Sequence, residues 1–477
     1  MTFLEFYKYS WFSNMAYVLW NEGNTSDSES MRNAANAPDA QRVPFDLGTE
    51  IFINQGWTVS SFQENDAVGF AANVFENGEE KVLAIRGTEG SGFLTEQQYL
   101  DLLKADLTEI GGVGLAINQA VSLFNYIQRL KADETNPDGT QNNSVLQLKL
   151  KSVTQSSILP SPVPDGVQGV TITNLEVLPP SLETTYYWFE VEHNGEGLGI
   201  LDETDQVTVT GDSLGGHLSA LALRLFPDLF DQAVTFSSPG FDPFLSLEGL
   251  GGQKTDEFVD LFKDALLSDS QPPPAATFAE LSSRLYTLES EDSAPGDDAD
   301  IVSGIITGKP ASSETFIRVE NVSHSMDQFM DGLAVHALVE SLNPQLTNEE
   351  IFALYDAMST GPGDTEEKYI QALSKLLLND STKLEIAEAD IINPGEFSSR
   401  SAIHTRILEI QSAIEGQGHI LESLAGKSAT EIKVKALGFS LDDPADAIAY
   451  RYALVNLNPF VITGTPAIYE PHNTPDA

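Results

Sequence analysis

Residues 207–216 read Val-Thr-Val-Thr-Gly-Asp-Ser-Leu-Gly-Gly. Four residues of high strand propensity run straight into Gly211-Asp212-Ser213-Leu214-Gly215. His217 to Leu225 come next, with Leu218, Leu221, Ala222 and Leu225 at helical spacing. A strand that turns at once into a helix leaves no room for side chains beside the residue at the apex. Glycine meets that demand at 211 and 215. The apex residue is forced onto a strained turn that lifts its side chain above the sheet. Gly-x-Ser-x-Gly in this setting is a nucleophile elbow, and Ser213 is the candidate nucleophile. The plainer reading is a glycine-rich turn that carries an incidental serine. The strand before it and the helix after it favour the elbow.

Strand and helix signals alternate around this point. The pattern predicts a helix over 3–21, with aromatic and aliphatic residues on one face. Strands are expected at 56–63 and 67–76, joined as a hairpin by Glu64-Asn65-Asp66. Lys81 to Arg86 is a near-continuous apolar strand, as in a buried sheet centre. Residues 96–106 and 113–131 read as helices. The polar stretch Asp133 to Ser144, with Asn-Pro-Asp-Gly at its centre, is a loop. Alternating stretches at 145–150, 170–178 and 185–192 then read as a small β insertion. Further strands are expected at 233–238, 284–288 and 315–319, with an amphipathic stretch from Asp256 to Leu267. Beyond Gly332 the pattern is mostly helical to about Leu457.

Such alternation implies a parallel sheet covered on both faces, with sites at the carboxyl ends of its strands. The expected fold class is α/β, with a mostly parallel central sheet. The expected organisation is a catalytic body at 1–340, a β-rich insertion at about 135–204, a candidate lid at 241–275 and a helical C-terminal extension at 341–477.

Composition narrows the function classes. The 71 Asp and Glu residues against 25 Lys and Arg give a net charge of −46. That charge repels nucleic acid and anionic membranes, and it suits salt-rich or calcium-rich surroundings if it is more than a solvated surface. The absence of cysteine excludes disulfides, a cysteine nucleophile and thiolate metal sites. No apolar run reaches 18 residues, so no transmembrane segment is expected. Met1 to Trp20 lacks the cationic, apolar and small-residue parts of a Sec signal peptide.

Several motifs stand in a fixed order. Arg86-Gly87-Thr88-Glu89 comes after an apolar strand, and Asp106 precedes a helix bearing Gln119. Then come Val-Thr-Gly-x-Ser-Leu-Gly-Gly and Val234-Thr235-Phe236-Ser237-Ser238-Pro239. Over roughly residues 5–340 this order resembles the class 3 lipases of the α/β-hydrolases, in the manner of bacterial secreted lipases and phospholipases A1. The resemblance implies an oxyanion hole built from Thr88 and the N–H of Leu214. The chain departs from the family in two places: Asp212 stands where a histidine is usual, and the insertion is absent from simple members. Gly-Asp-Ser-Leu also spells the motif of the GDSL hydrolases. Those carry it near the N-terminus with a later Asp-x-x-His, which this chain lacks.

A serine nucleophile needs a base, and the base needs an orienting carboxylate. In α/β-hydrolases they come in the order Ser, Asp, His. His324 stands after an expected strand and before an expected helix, so it is the candidate base. His217 lies one turn into the helix after the elbow, and His336 lies mid-helix; both read as packing residues. His193 falls in the insertion and His404 and His419 in the C-terminal extension, while His472 stands in the polar tail. The acid should come after the strand ending near Leu288. Asp292 is nearest that end, and Asp300 is the runner-up. The bland reading of this acidic stretch is a solvated loop or a calcium site.

The expected activity is hydrolysis of lipid esters through an acyl-enzyme. The expected partners are a lipid or ester substrate and a lipid–water interface. No cofactor is required, and calcium is a candidate structural ion. The other readings are a non-catalytic module on a hydrolase scaffold, or a peptidase of the same fold. The charge balance, the lack of cysteine and the lack of a Sec signal match bacterial one-step secretion. Cargo of that route usually carries Gly-Gly-x-Gly-x-Asp repeats. None is present, so these 477 residues are expected to be the catalytic part of a longer secreted protein.

Overall fold

The computed structural model describes residues 1–36, 45–87, 115–155, 164, 167–177, 180–202, 204–241, 254–268, 277–291, 316–320, 326–342, 346–347, 351, 370, 374, 378 and 398–417. At its centre, β1 (Thr58–Gln63), β2 (Ala72–Asn77) and β3 (Glu80–Ile85) form an antiparallel sheet edge. β3 is continued by β7 (Gln206–Asp212), β8 (Gln232–Phe236), β9 (Leu285–Glu291) and β10 (Phe316–Glu320), all parallel. The result is one seven-stranded sheet in the order β1-β2-β3-β7-β8-β9-β10. The fold is thus mixed α/β with a mostly parallel central sheet.

Strand alternation divides the core in two. Helices α3 (Ile117–Lys131), α4 (Leu214–Leu225) and α5 (Lys254–Ser268) connect β3 to β7, β7 to β8 and β8 to β9. Each connection steps one strand in the same direction. Crossovers of one hand therefore lay all three helices on one face. There they bury Leu83, Ile85, Val207, Val209 and Ala233. The opposite face carries Val82, Ala84, Val234, Phe236 and Leu288. It is covered by α1 (Phe3–Met15), α6 (Met326–Leu342) and α7 (Ser398–Gln417), with Met31 and Ala35 of α2 (Ser28–Ala35) beside them.

α1 begins with a capping box between Thr2 and Glu5. It is wedged between the sheet and α6, burying Phe3, Phe6, Tyr7, Trp11 and Phe12. The Leu4 N–H donates to Glu340 Oε2 at 3.3 Å. Tyr7 Oη lies 2.6 Å from His404 Nδ1, and His404 Nε2 lies 2.6 Å from Asp331 Oδ1. α1, α6 and α7 are joined through one imidazole.

Two boundaries differ from the sequence expectation. α1 ends at Met15 rather than near 21, and the Trp20 indole N–H returns to the Met15 carbonyl. The link between β1 and β2 covers residues 64–71 rather than three residues. Asp66 Oδ1 accepts from the N–H groups of Val68 and Phe70, which holds a longer turn in place of a tight hairpin. The helix expected at 96–106 lies outside the described residues.

The segment after α3 forms a separate antiparallel sheet from β4 (Val145–Gln155), β5 (Val170–Val177) and β6 (Pro180–Gly195), in the order β4-β6-β5. One face meets α5, with Phe189 against Phe262 at 4.8 Å and Tyr187 against Phe258 at 5.5 Å between ring centroids. α5, which lies within the segment 241–275, turns Phe258, Phe262 and Leu266 into the second core.

Two histidines are sealed in these cores. His217 of α4 stacks on Phe241, and His336 of α6 lies against Phe3. Burial pushes both rings down from 6.5 to about 4. The unfolded chain binds these protons below about pH 6.5 and the folded chain only below about 4. The unfolded state therefore holds more protons across that window, and stability falls on acidification through it. Between pH 6.5 and 5 each ring should cost about 2 kcal/mol. Urea midpoints measured across that range should fall, and replacing His217 or His336 by an apolar residue should flatten the slope.

Candidate active site

β7 lies between β3 and β8, with Gly211 paired to Ile85 and to Thr235, and Asp212 paired to Phe236. The ladder continues one residue further, where the Ser213 N–H donates to the Phe236 carbonyl at 2.9 Å. At Ser213 the chain turns back through φ 52° and ψ −126°, a region that side-chain-bearing residues rarely enter. α4 begins at the next residue. A Cβ at Gly211 would stand 2.5 Å from the Gly215 backbone and 2.7 Å from the Ile85 carbonyl oxygen. A Cβ at Gly215 would stand 2.8 Å from the carbonyl carbon of Arg86. Both positions exclude any other residue without displacement of β3.

Ser213 is 7% exposed and crowns the carboxyl end of the sheet. Its carbonyl already accepts from Gly216 and His217 at 3.0 and 3.2 Å. The N–H groups of Leu214 and Gly215 open the helix, where no intrahelical acceptor exists. They carry the positive end of the α4 dipole to the serine. The end of β3 arrives beside it: a Cβ at Gly87 would lie 3.3 Å from the Ser213 Cβ. At the end of β8, Ser237 also has a positive φ of 42°, and its N–H donates to the Leu288 carbonyl at 2.9 Å.

Ser213 and Leu214 are thus brought together at the elbow. Thr88, Asp292, Asp300 and His324 lie outside the described residues. The elements that flank them are described. Gly87 ends the segment before Thr88, β9 ends at Glu291, and β10 ends at Glu320 with α6 beginning at Met326.

The described histidines are engaged elsewhere. His217 Nδ1 faces the Pro239 carbonyl at 3.2 Å, and His336 Nδ1 faces the Gly332 carbonyl at 2.7 Å. His404 sits between Tyr7 and Asp331. His193 is exposed on β6. Among the described residues no group of three or more His, Asp or Glu side chains is arranged to hold a metal ion, and no helix is long and apolar enough to cross a membrane.

In the sequence, Asp212 stands out only as a departure from a pattern. In the structure this carboxylate is 5% exposed, and the Tyr17 hydroxyl donates to its Oδ2 at 3.1 Å. The Ser13 hydroxyl approaches Oδ1 at 3.5 Å. An acid directly beside the elbow serine was the available signal. Its partners are 195 and 199 residues away in sequence, so nothing local could name them.

No protein-family profile matches the chain, and no curated protein does. Among solved structures, the Lip2 lipase from Yarrowia lipolytica is similar at 15% sequence identity, with 68% of this chain and 82% of that chain covered and a TM-score of 0.26.

The backbone at Ser213 gives a direct test of the elbow. Alanine normally outranks glycine by about 0.5–1 kcal/mol through chain entropy. At an inverted φ the strain of about 1–3 kcal/mol falls on alanine alone. Ser213→Gly should therefore unfold in urea at or above the midpoint of Ser213→Ala. A glycine variant clearly weaker than the alanine variant would contradict the observed backbone.

Proposed function

We propose that this chain is a serine carboxylester hydrolase that acts on lipid esters, of lipase or phospholipase A1 type. The observation that carries the reading is Ser213 itself. It is held at an inverted φ between a strand and a helix, with the first N–H groups of α4 beside it. That arrangement serves attack on a carbonyl: the hydroxyl is presented above the sheet, and dipoles wait where the oxyanion would form.

The reaction then runs in two halves. His324 takes the proton from Ser213 as its oxygen attacks the ester carbonyl, and it returns the proton to the leaving alcohol. Water, activated by the same imidazole, hydrolyses the acyl-enzyme. The N–H groups of Leu214 and Thr88 hold the oxyanion, with the Thr88 hydroxyl as a further donor. Each such donor contributes about 3 kcal/mol of transition-state stabilisation. Asp292, with Asp300 as the alternative, orients His324.

Two observations support these assignments. The rings of His217 and His336 pair with the Pro239 and Gly332 carbonyls, and that of His404 with Tyr7 and Asp331. The chain position of His324 is between β10 and α6, and Asp292 comes directly after β9, both parallel neighbours on the elbow side of the sheet. Lipid esters are favoured over peptides by the resemblance of Arg86-Gly87-Thr88 to the class 3 lipases. Secretion and calcium as a structural ion belong to the same reading.

Hydrolysis of a p-nitrophenyl ester, followed by assays on triacylglycerol and phospholipid, tests it. Ser213→Ala should lose all but a few per cent of the activity with nearly unchanged thermal stability. His324→Ala should match that loss. Of Asp292→Asn and Asp300→Asn, the first should show the large loss and the second a small one; the reverse order would make Asp300 the acid. A wild-type protein without ester hydrolysis leaves the non-catalytic scaffold as the better reading.

A further inference from the structure

The two proposed oxyanion donors lie on different segments, one after the elbow and one after β3. The pairing of β3 with β7 stops at Ile85 and Gly211. Beyond that point the two segments are held by backbone packing, Gly215 against Ile85, Arg86 and Gly87, with no ladder between them. The structure supplies another connection. Tyr17 stands just past the end of α1, on neither strand. Its hydroxyl donates to Asp212 Oδ2 at 3.1 Å. The same hydroxyl oxygen lies 2.6 Å from the place a Cβ on Gly87 would occupy. The Asp212 carbonyl oxygen lies 2.6 Å from that place as well. One hydroxyl therefore touches the residue before the nucleophile and the residue before Thr88.

We propose that Tyr17, acting through Asp212, is a positioning residue that, together with the Gly215 packing, sets where the chain leaving β3 at Gly87 stands relative to the elbow. The proposal rests on the reading of Ser213 as a nucleophile. A carboxylate this deeply buried is costly unless it accepts hydrogen bonds, and Tyr17 and Ser13 donate to it. That bond holds the phenol at a set depth. Only glycine at 87 lets the phenol reach that depth. A shift of about 1 Å between catalytic groups can cost a factor of about 100 in rate, which sets the scale of the effect.

The test is a cycle of Tyr17→Phe, Asp212→Asn and the double variant, assayed on a short p-nitrophenyl ester beside Ser213→Ala. Tyr17→Phe should lower kcat by about 10- to 100-fold with KM within a factor of about three. Its full stoichiometry of labelling by a serine-directed phosphonate should stay at the wild-type value, while its urea midpoint falls because the buried Asp212 loses a donor. Asp212→Asn keeps a carbonyl acceptor and should lose less. The double variant should be no slower than Tyr17→Phe, because both changes break one connection. Wild-type kcat in Tyr17→Phe overturns the proposal while an inactive Ser213→Ala leaves the nucleophile in place. A loss that tracks incomplete labelling also overturns it, in favour of plain stability. If Tyr17→Phe does not fold, strictly additive losses between Asp212→Asn and Ser13→Ala decide against it. Activity surviving in Ser213→Ala removes the reading beneath it.

Discussion

The first turn of α4 packs directly onto the last residues of β3, with no side chain between them. The contact of Gly215 with Ile85 and Arg86, and of Gly211 with Gly215, forces Ser213 into its inverted conformation. The strain there is of order 1–3 kcal/mol. Burial along the helix outweighs it. Leu218, Leu221, Leu223 and Leu225 of α4 are all buried, and each buried aliphatic side chain contributes about 1.5–3 kcal/mol. The helix is held by its own packing, and the serine takes the conformation that remains.

The elbow was legible in the sequence because every residue that creates it lies within a short stretch of chain. The parallel strands were legible for the same reason, as short apolar runs of the right length. Connections made by single side chains were not. Asp66 lengthens the turn between β1 and β2 by collecting two N–H groups, which no periodicity reveals. α1 stops at Met15, so that Tyr17 leaves the helix and reaches Asp212. Asp212 itself looked like an anomaly, because its partners are remote. Thr88, Asp292, Asp300 and His324 rest on the sequence and on their flanking elements.

A chain with 25 cations against 71 acids has few positive groups to place. Several stand at joints between elements. Lys81 on β3 donates to the Ile200 carbonyl and to Asp205, which ties the return of the β insertion to the central sheet. Arg284 donates to the Asp231 and Pro227 carbonyls, joining the start of β9 to the turn before β8. Arg224 of α4 meets Asp256 of α5 and lies over Phe278. The side chains of Lys81 and Arg224 are largely buried, so salt screens them weakly while it relieves repulsion across the acidic surface.

The wedge of α1 between the sheet and α6 has a bearing on how the chain comes off the ribosome. Phe3, Phe6, Tyr7, Trp11 and Phe12 are made hundreds of residues before Met330, Leu333 and Ile407 of their cluster. Tyr7 must wait 397 residues for His404. At about 5–20 residues per second, that is roughly 20–80 s of exposure for an aromatic helix. Through that interval the nascent chain presents a sticky aromatic helix that invites a holding chaperone. The face of the sheet behind Asp212 closes only when α6 and α7 arrive.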